Sequence, residues 1–136
     1  MSSTATESNK QLMQAIFAAL AQGNGKPFRD AMAEDFSWAI AGQSAWSREW
    51  RGKQTVLDEL LRPLYARFAT TYTSEAQRFI AEGDHVVVQC RGQVTTKSGQ
   101  PYNNHYCFVC RLEGGQLREL TEYMDTELAT QALGAP

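Results

Sequence analysis

Residues 84–126, DHVVVQCRGQVTTKSGQPYNNHYCFVCRLEGGQLRELTEYMDT, decide the fold of this chain. They read as consecutive strands over Asp84–Thr96, Tyr102–Leu112 and Gln116–Thr126. Lys97-Ser98-Gly99-Gln100 and Glu113-Gly114-Gly115 divide them, with glycine supplying the positive φ that tight hairpins need. Successive strand residues point to opposite faces. A first turn centred on Ser98-Gly99 sets Arg91 opposite Tyr106, Gln93 opposite Asn104, Gln89 opposite Phe108 and Cys90 opposite Cys107. One face then carries Gln89, Arg91, Gln93, Asn104, Tyr106 and Phe108. The other carries Val88, Cys90, Cys107 and Val109. The first face is expected to line a pocket, and the second, mostly apolar, to meet another copy of the chain in a homodimer. On the third strand, either Leu120, Glu122 and Met124 or Thr121, Tyr123 and Asp125 face the pocket side.

Working outward, the 136 residues suit one domain spanning 1–136, with residues 1–6 as a disordered tip. A net charge of −2 without a basic cluster argues against nucleic acid and anionic membrane surfaces as partners. No apolar run approaches the roughly 20 residues of a membrane span. No secretory signal opens the chain, and the expected location is cytoplasmic, with all three cysteines reduced. Cys107 and Cys110 have C-x-x-C spacing, but mid-strand their sulfurs point to opposite faces. Neither these nor His85 and His105 show metal-ligand spacing, so no metal and no cofactor is expected.

Thr4-Ala5-Thr6-Glu7 fits a capping box, with Ser8 as a competing cap, and Leu12, Met13, Ile16, Phe17 and Leu20 recur at helical spacing up to Gly23. A short helix follows Lys26-Pro27, and Glu34–Ala41 alternates as a strand. Gly42–Arg51 reads as a loop whose Trp46 and Trp50 either cover a cavity or pack on the next helix. That helix spans Gly52–Phe68, with Pro63 expected to kink it. Thr70–Glu82 is a further strand. Helices followed by a run of antiparallel strands make an α+β fold, a curved sheet wrapped around three helices.

Gly52-Lys53-Gln54 opening the third helix resembles the nuclear transport factor 2-like superfamily, SnoaL-like branch. So does the run from Tyr102-Asn103-Asn104 through Arg111–Leu117 to Glu122-Tyr123-Met124-Asp125. The resemblance implies a cone-shaped α+β barrel with a pocket, usually dimeric. It also turns Leu120, Glu122 and Met124 inward, and gathers Trp38, Ile40, Gln89, Arg91, Asn104, Tyr106 and Phe108 with them around a small-molecule ligand. The acid–arginine–acid set of limonene-epoxide-hydrolase-like members falls on Gln89, Arg91 and Glu122, and keeps in kind only the last acid. The base and donors of ketosteroid-isomerase-like members fall on Ile40, Ile16 and Phe108, all apolar. Glu122 and Arg91 remain as the catalytic candidates. They form either a structural ion pair or an acid/base with an anion clamp. Three functions follow: an enzyme of proton transfer, cyclisation or hydration; a non-catalytic binder of a small hydrophobic or carboxylate ligand; or a dimeric interaction module.

Overall fold

Helix α1, Ser3–Leu20, buries Met13, Ile16, Phe17 and Leu20 against the inner face of a curved sheet. The computed structural model describes residues 3–136. The expected disordered tip is therefore largely helical: Thr4, Thr6 and Glu7 lie inside α1, Met1 and Ser2 fall outside the described residues, and Thr4 is not a cap. A tertiary tie accounts for the early start, since Thr6 Oγ1 donates to the Gly83 carbonyl at 3.0 Å. Helix α2, Lys26–Ala31, starts with Pro27 in its first turn and buries Phe28.

The strands are β1 (Met32–Ile40), β2 (Glu49–Arg51), β3 (Thr73–Glu82), β4 (His85–Gln93), β5 (His105–Glu113) and β6 (Gln116–Met124). They form one unclosed six-stranded sheet in the order β2-β1-β6-β5-β4-β3. All neighbours are antiparallel except β1 and β6, which run parallel. The α+β architecture is the expected one. Two elements were not anticipated. Trp50 belongs to β2, paired with Trp38, rather than to a loop. A last helix, α5 (Thr126–Leu133), begins where the Asp125 carboxylate accepts from the backbone N–H groups of Glu127 and Leu128.

The β4–β5 register departs from the sequence reading by one residue. Gly99 N–H donates to the Thr96 carbonyl and Thr96 N–H to the Gln100 carbonyl, so Lys97, Ser98 and Gly99 form a three-residue loop. Gly99 closes it at φ 88°, the left-handed residue that follows a type I turn in such hairpins. An odd loop shifts the pairing: Cys90 opposes Tyr106, Gln89 opposes Cys107 and Arg91 opposes His105. Because side-chain direction has period two, the shift turns one strand's faces over relative to its neighbour. Val88 and Cys90 point inward with Tyr106, Phe108 and Cys110 and are buried. Gln89 and Arg91 point outward and are exposed. Cys90 and Cys107 are therefore not cross-strand neighbours, and the expected outer face of Val88, Cys90, Cys107 and Val109 does not form.

The third helix also changes form. It is α-helical over Lys53–Thr55 (α3), π-helical over Val56–Leu61 and α-helical again over Arg62–Tyr65 (α4). Pro63 has no N–H to give the Glu59 carbonyl and crowds it. Widening the preceding turn relieves the clash, and Arg62 N–H reaches back to the Leu57 carbonyl.

Candidate functional site

Glu122 sits on β6 with Ile40 of β1 and Phe108 of β5 directly beside it. Its backbone carbonyl accepts from Ala41 N–H at 3.0 Å, which fixes the strand position. Two residues before Ile40 on the same face, Trp38 donates its indole N–H to Glu122 Oε1 at 2.9 Å. Phe28, Phe36 and Phe108 hold that indole with ring centroids 5.7, 6.2 and 6.0 Å away. Glu122 is 6% exposed. Among the described residues the indole is its one side-chain hydrogen-bond donor, and no cation stands beside it. Burial pushes its carboxyl from 4.5 up to about 7, with the Trp38 hydrogen bond opposing the rise.

The carboxyl faces a cavity of about 60 Å³. Trp38, Ile40, Tyr106, Phe108 and Met124 line it. Leu120 is buried in the core without reaching the lining. Gln89 and Arg91 are corrections: the hairpin loop puts both on the opposite face of the sheet, so Arg91 neither pairs with Glu122 nor clamps anything in the cavity. Asn104 is a correction of another kind. It is fully buried, but its amide is consumed by structure, donating to Tyr102 Oη (3.1 Å) and the Asp125 carbonyl (3.1 Å). Its oxygen accepts from His105 and Asp125 N–H. Asn104 thus ties the start of β5 to the end of β6 and aims Tyr102.

Sequence reasoning missed several cavity residues. Tyr72 and Tyr102 contribute phenols beside Tyr106; burial raises the pKa of all three hydroxyls, which keeps them protonated as donors. Tyr72 fits because β4 has Gly92 there: a Cβ at that position would lie 2.6 Å from the Tyr72 hydroxyl oxygen. The π-helical turn contributes Leu60 and Leu61 to the lining, and α4 contributes Leu64 and Tyr65 four residues on. Trp46 covers one side, buried, with its indole N–H on the Gly134 carbonyl. Of the alternatives for the two tryptophans, Trp46 is the cavity cover and Trp50 a strand residue. Only the aromatic content of these segments was a usable signal.

Among the described residues no three His, Cys, Asp or Glu side chains gather as a metal-binding group. No helix among them is long and apolar enough to cross a membrane.

A family model described as a SnoaL-like domain matches residues 13–120. The fold is shared with an NTF2-like protein of unknown function from Burkholderia pseudomallei (20% identity, 94% of this chain and 98% of that one, TM-score 0.78). It is also shared with TerC co-crystallised with polyporic acid (18%, 94% and 99%, 0.77). An LEH-like epoxide hydrolase from Mycobacterium tuberculosis is similar too (19%, 94% and 90%, 0.71). At these identities the likeness concerns the fold. No curated protein matches the chain.

Proposed function

The chain belongs to the SnoaL-like domain family, and on that premise we propose that it holds a small hydrophobic substrate among its aromatic rings and moves a proton with Glu122. The observation that carries this reading is one buried carboxyl, held by one indole, without a cation, facing the cavity. A carboxyl poised near neutrality both accepts and returns a proton at physiological pH. With a ketone substrate, the carboxylate takes a proton from the carbon beside the carbonyl. Oxygen receives the electron pair, and the Tyr72, Tyr102 and Tyr106 hydroxyls are the donors at hand for that oxygen. Returning the proton at another carbon is isomerisation; attack of the enolate on a second carbonyl of the same molecule is cyclisation. TerC, co-crystallised with polyporic acid in the same fold, supports a small organic ligand for this chain.

The second reading is a non-catalytic binder, favoured by a lining whose one carboxyl lies among apolar and phenolic side chains. The two separate on hydrogen–deuterium exchange beside the carbonyl of small aryl ketones in D2O, followed by NMR. Wild type should speed exchange, and Glu122→Gln should lose roughly 100-fold or more while still binding the ketone. Ketones that raise the melting temperature but never exchange faster would leave the binder.

The pairing of two copies through the outer sheet face belongs to the same proposal, now on different residues. Ile80, Val87, Val109 and Thr121 lie in register across four strands, and Ile80 and Tyr123 are about half exposed. Light scattering at micromolar concentration should give a dimer mass for wild type and a monomer for Val109→Arg. A wild-type monomer would refute the pairing.

A further inference from the structure

The cavity opens where Tyr65, 44% exposed, lines both it and two surface grooves. The grooves measure about 280 and 220 Å³, against about 60 Å³ inside. A ligand of even one ring and a short chain therefore cannot sit wholly within and must extend past Tyr65. Arg29 lines both grooves. Its guanidinium lies over Gly25, where a Cβ would be 2.9 Å from Nη1. Its charge also reaches the Tyr65 hydroxyl, where it opposes the upward push of burial.

The neighbouring charges are already matched: Lys26 with Asp30 and Arg62 with Asp58. Arg29 has no ion-pair partner among the described residues. Glu122 lines the cavity but neither groove, and its carboxyl disfavours a second negative charge beside it.

We propose that the ligand is an amphipathic acid, its apolar body in the cavity toward Glu122 and its carboxylate at the mouth on Arg29. This rests on the pocket reading above and names its polarity and its specificity residue. The planar guanidinium suits a carboxylate through two parallel hydrogen bonds, and no direct ion pair has to be broken first, its charge reaching Asp30 only at longer range. An acid entering in the reverse sense would put its charge against Glu122 and leave Arg29 unmatched.

The test uses 3-phenylpropanoate and its uncharged amide, 3-phenylpropanamide, titrated into wild type and Arg29→Gln and read by tryptophan fluorescence and NMR shifts. Wild type should prefer the acid about two- to fivefold, as an exposed charge contact gives. The preference should shrink with added salt. Arg29→Gln should bring the ratio to about one while leaving amide affinity unchanged, which also shows that the variant is folded. Equal binding of acid and amide to wild type would overturn the role of Arg29 and leave the pocket reading standing. An acid preference that survives Arg29→Gln would place the anchor elsewhere. Failure of both probes to bind at millimolar concentration would remove the pocket reading and this inference together.

Discussion

Glu122→Gln should abolish a fall in stability of roughly 3 kcal/mol that wild type shows as pH rises from about 4.5 to 8. Unfolded, the carboxyl releases its proton near its ordinary 4.5; folded, burial holds the proton up to about 7. Between these values the native state carries a proton that the unfolded state has lost, so each rise in pH favours unfolding. Below the lower value both states are protonated and the full stabilisation is present; above the upper value both are ionised and the slope from this group ends. Gln keeps the shape and can still accept from the Trp38 indole, but it does not titrate. Urea unfolding of both proteins across this range, compared as a difference, removes the contribution of every other group. Parallel curves would mean that Glu122 is ionised throughout, and the poised acid would be lost as a mechanism. Trp38→Phe should move the midpoint further up, because it removes the one donor that favours the charged form.

What the sequence disclosed and what it hid have separate physical causes. Inward-facing Tyr106 and Phe108 and the α+β layout were legible because alternation and glycine turns are local signals. The positions of Gln89 and Arg91 were not. Lys97-Ser98-Gly99-Gln100 is compatible with a two-residue or a three-residue loop, and that single difference decides which face β4 presents. The error reached the chemistry, since it supplied Glu122 with a partner that lies across the sheet. Glu122 itself was found through its likeness to the SnoaL-like pattern, because strand alternation on β6 reads equally well in either phase. The helix break at Pro63 was legible as a disturbance, but not as a π-helical turn, nor was it legible that Leu60, Leu61, Leu64 and Tyr65 line the cavity from either side of it. Helix α5 was missed although Asp125-Thr126-Glu127 is a fair capping sequence, because the alternation runs the last strand through Thr126.

The corrected picture changes the electrostatics of the proposal. A carboxyl paired with arginine is held ionised, and it serves poorly as an acid near neutrality. A carboxyl flanked by Ile40 and Phe108, with one indole for company, is poised instead. The cost of burying it falls on stability, and it is tolerated because the surrounding rings and the covalent run of β6 over-determine its place. Local features that weaken a fold collect where chemistry is done.

Arg67→Met should show how firmly that cavity is kept closed. The Arg67 guanidinium donates to the carbonyls of Pro63 (2.7 Å), Leu133 (3.0 Å) and Ala135, and it lies 5.1 Å over the Trp46 ring. Trp46 in turn donates to the Gly134 carbonyl. One side chain thus straps the end of α5 and the Trp46 loop over the cavity, which Leu133 and Trp46 both line. Methionine keeps the aliphatic bulk and loses every one of these hydrogen bonds. Their loss should lower the free energy of opening the strap by about 2–4 kcal/mol. Opening of that segment is local, so amides of Ala129–Gly134 should exchange with deuterium on the order of 100-fold faster, while those of β5 and β6 stay as in wild type. Arg67→Lys should fall between, because an ammonium reaches one carbonyl rather than three. Acceleration spread evenly over the sheet would instead make Arg67 a support of the whole fold. A loosened strap admits water to the cavity, and water restores the hydration that burial took from Glu122. The protonation midpoint seen in the pH titration of stability should therefore drop below about 7 in Arg67→Met. An unchanged midpoint alongside fast exchange would mean that the strap opens without wetting the carboxyl.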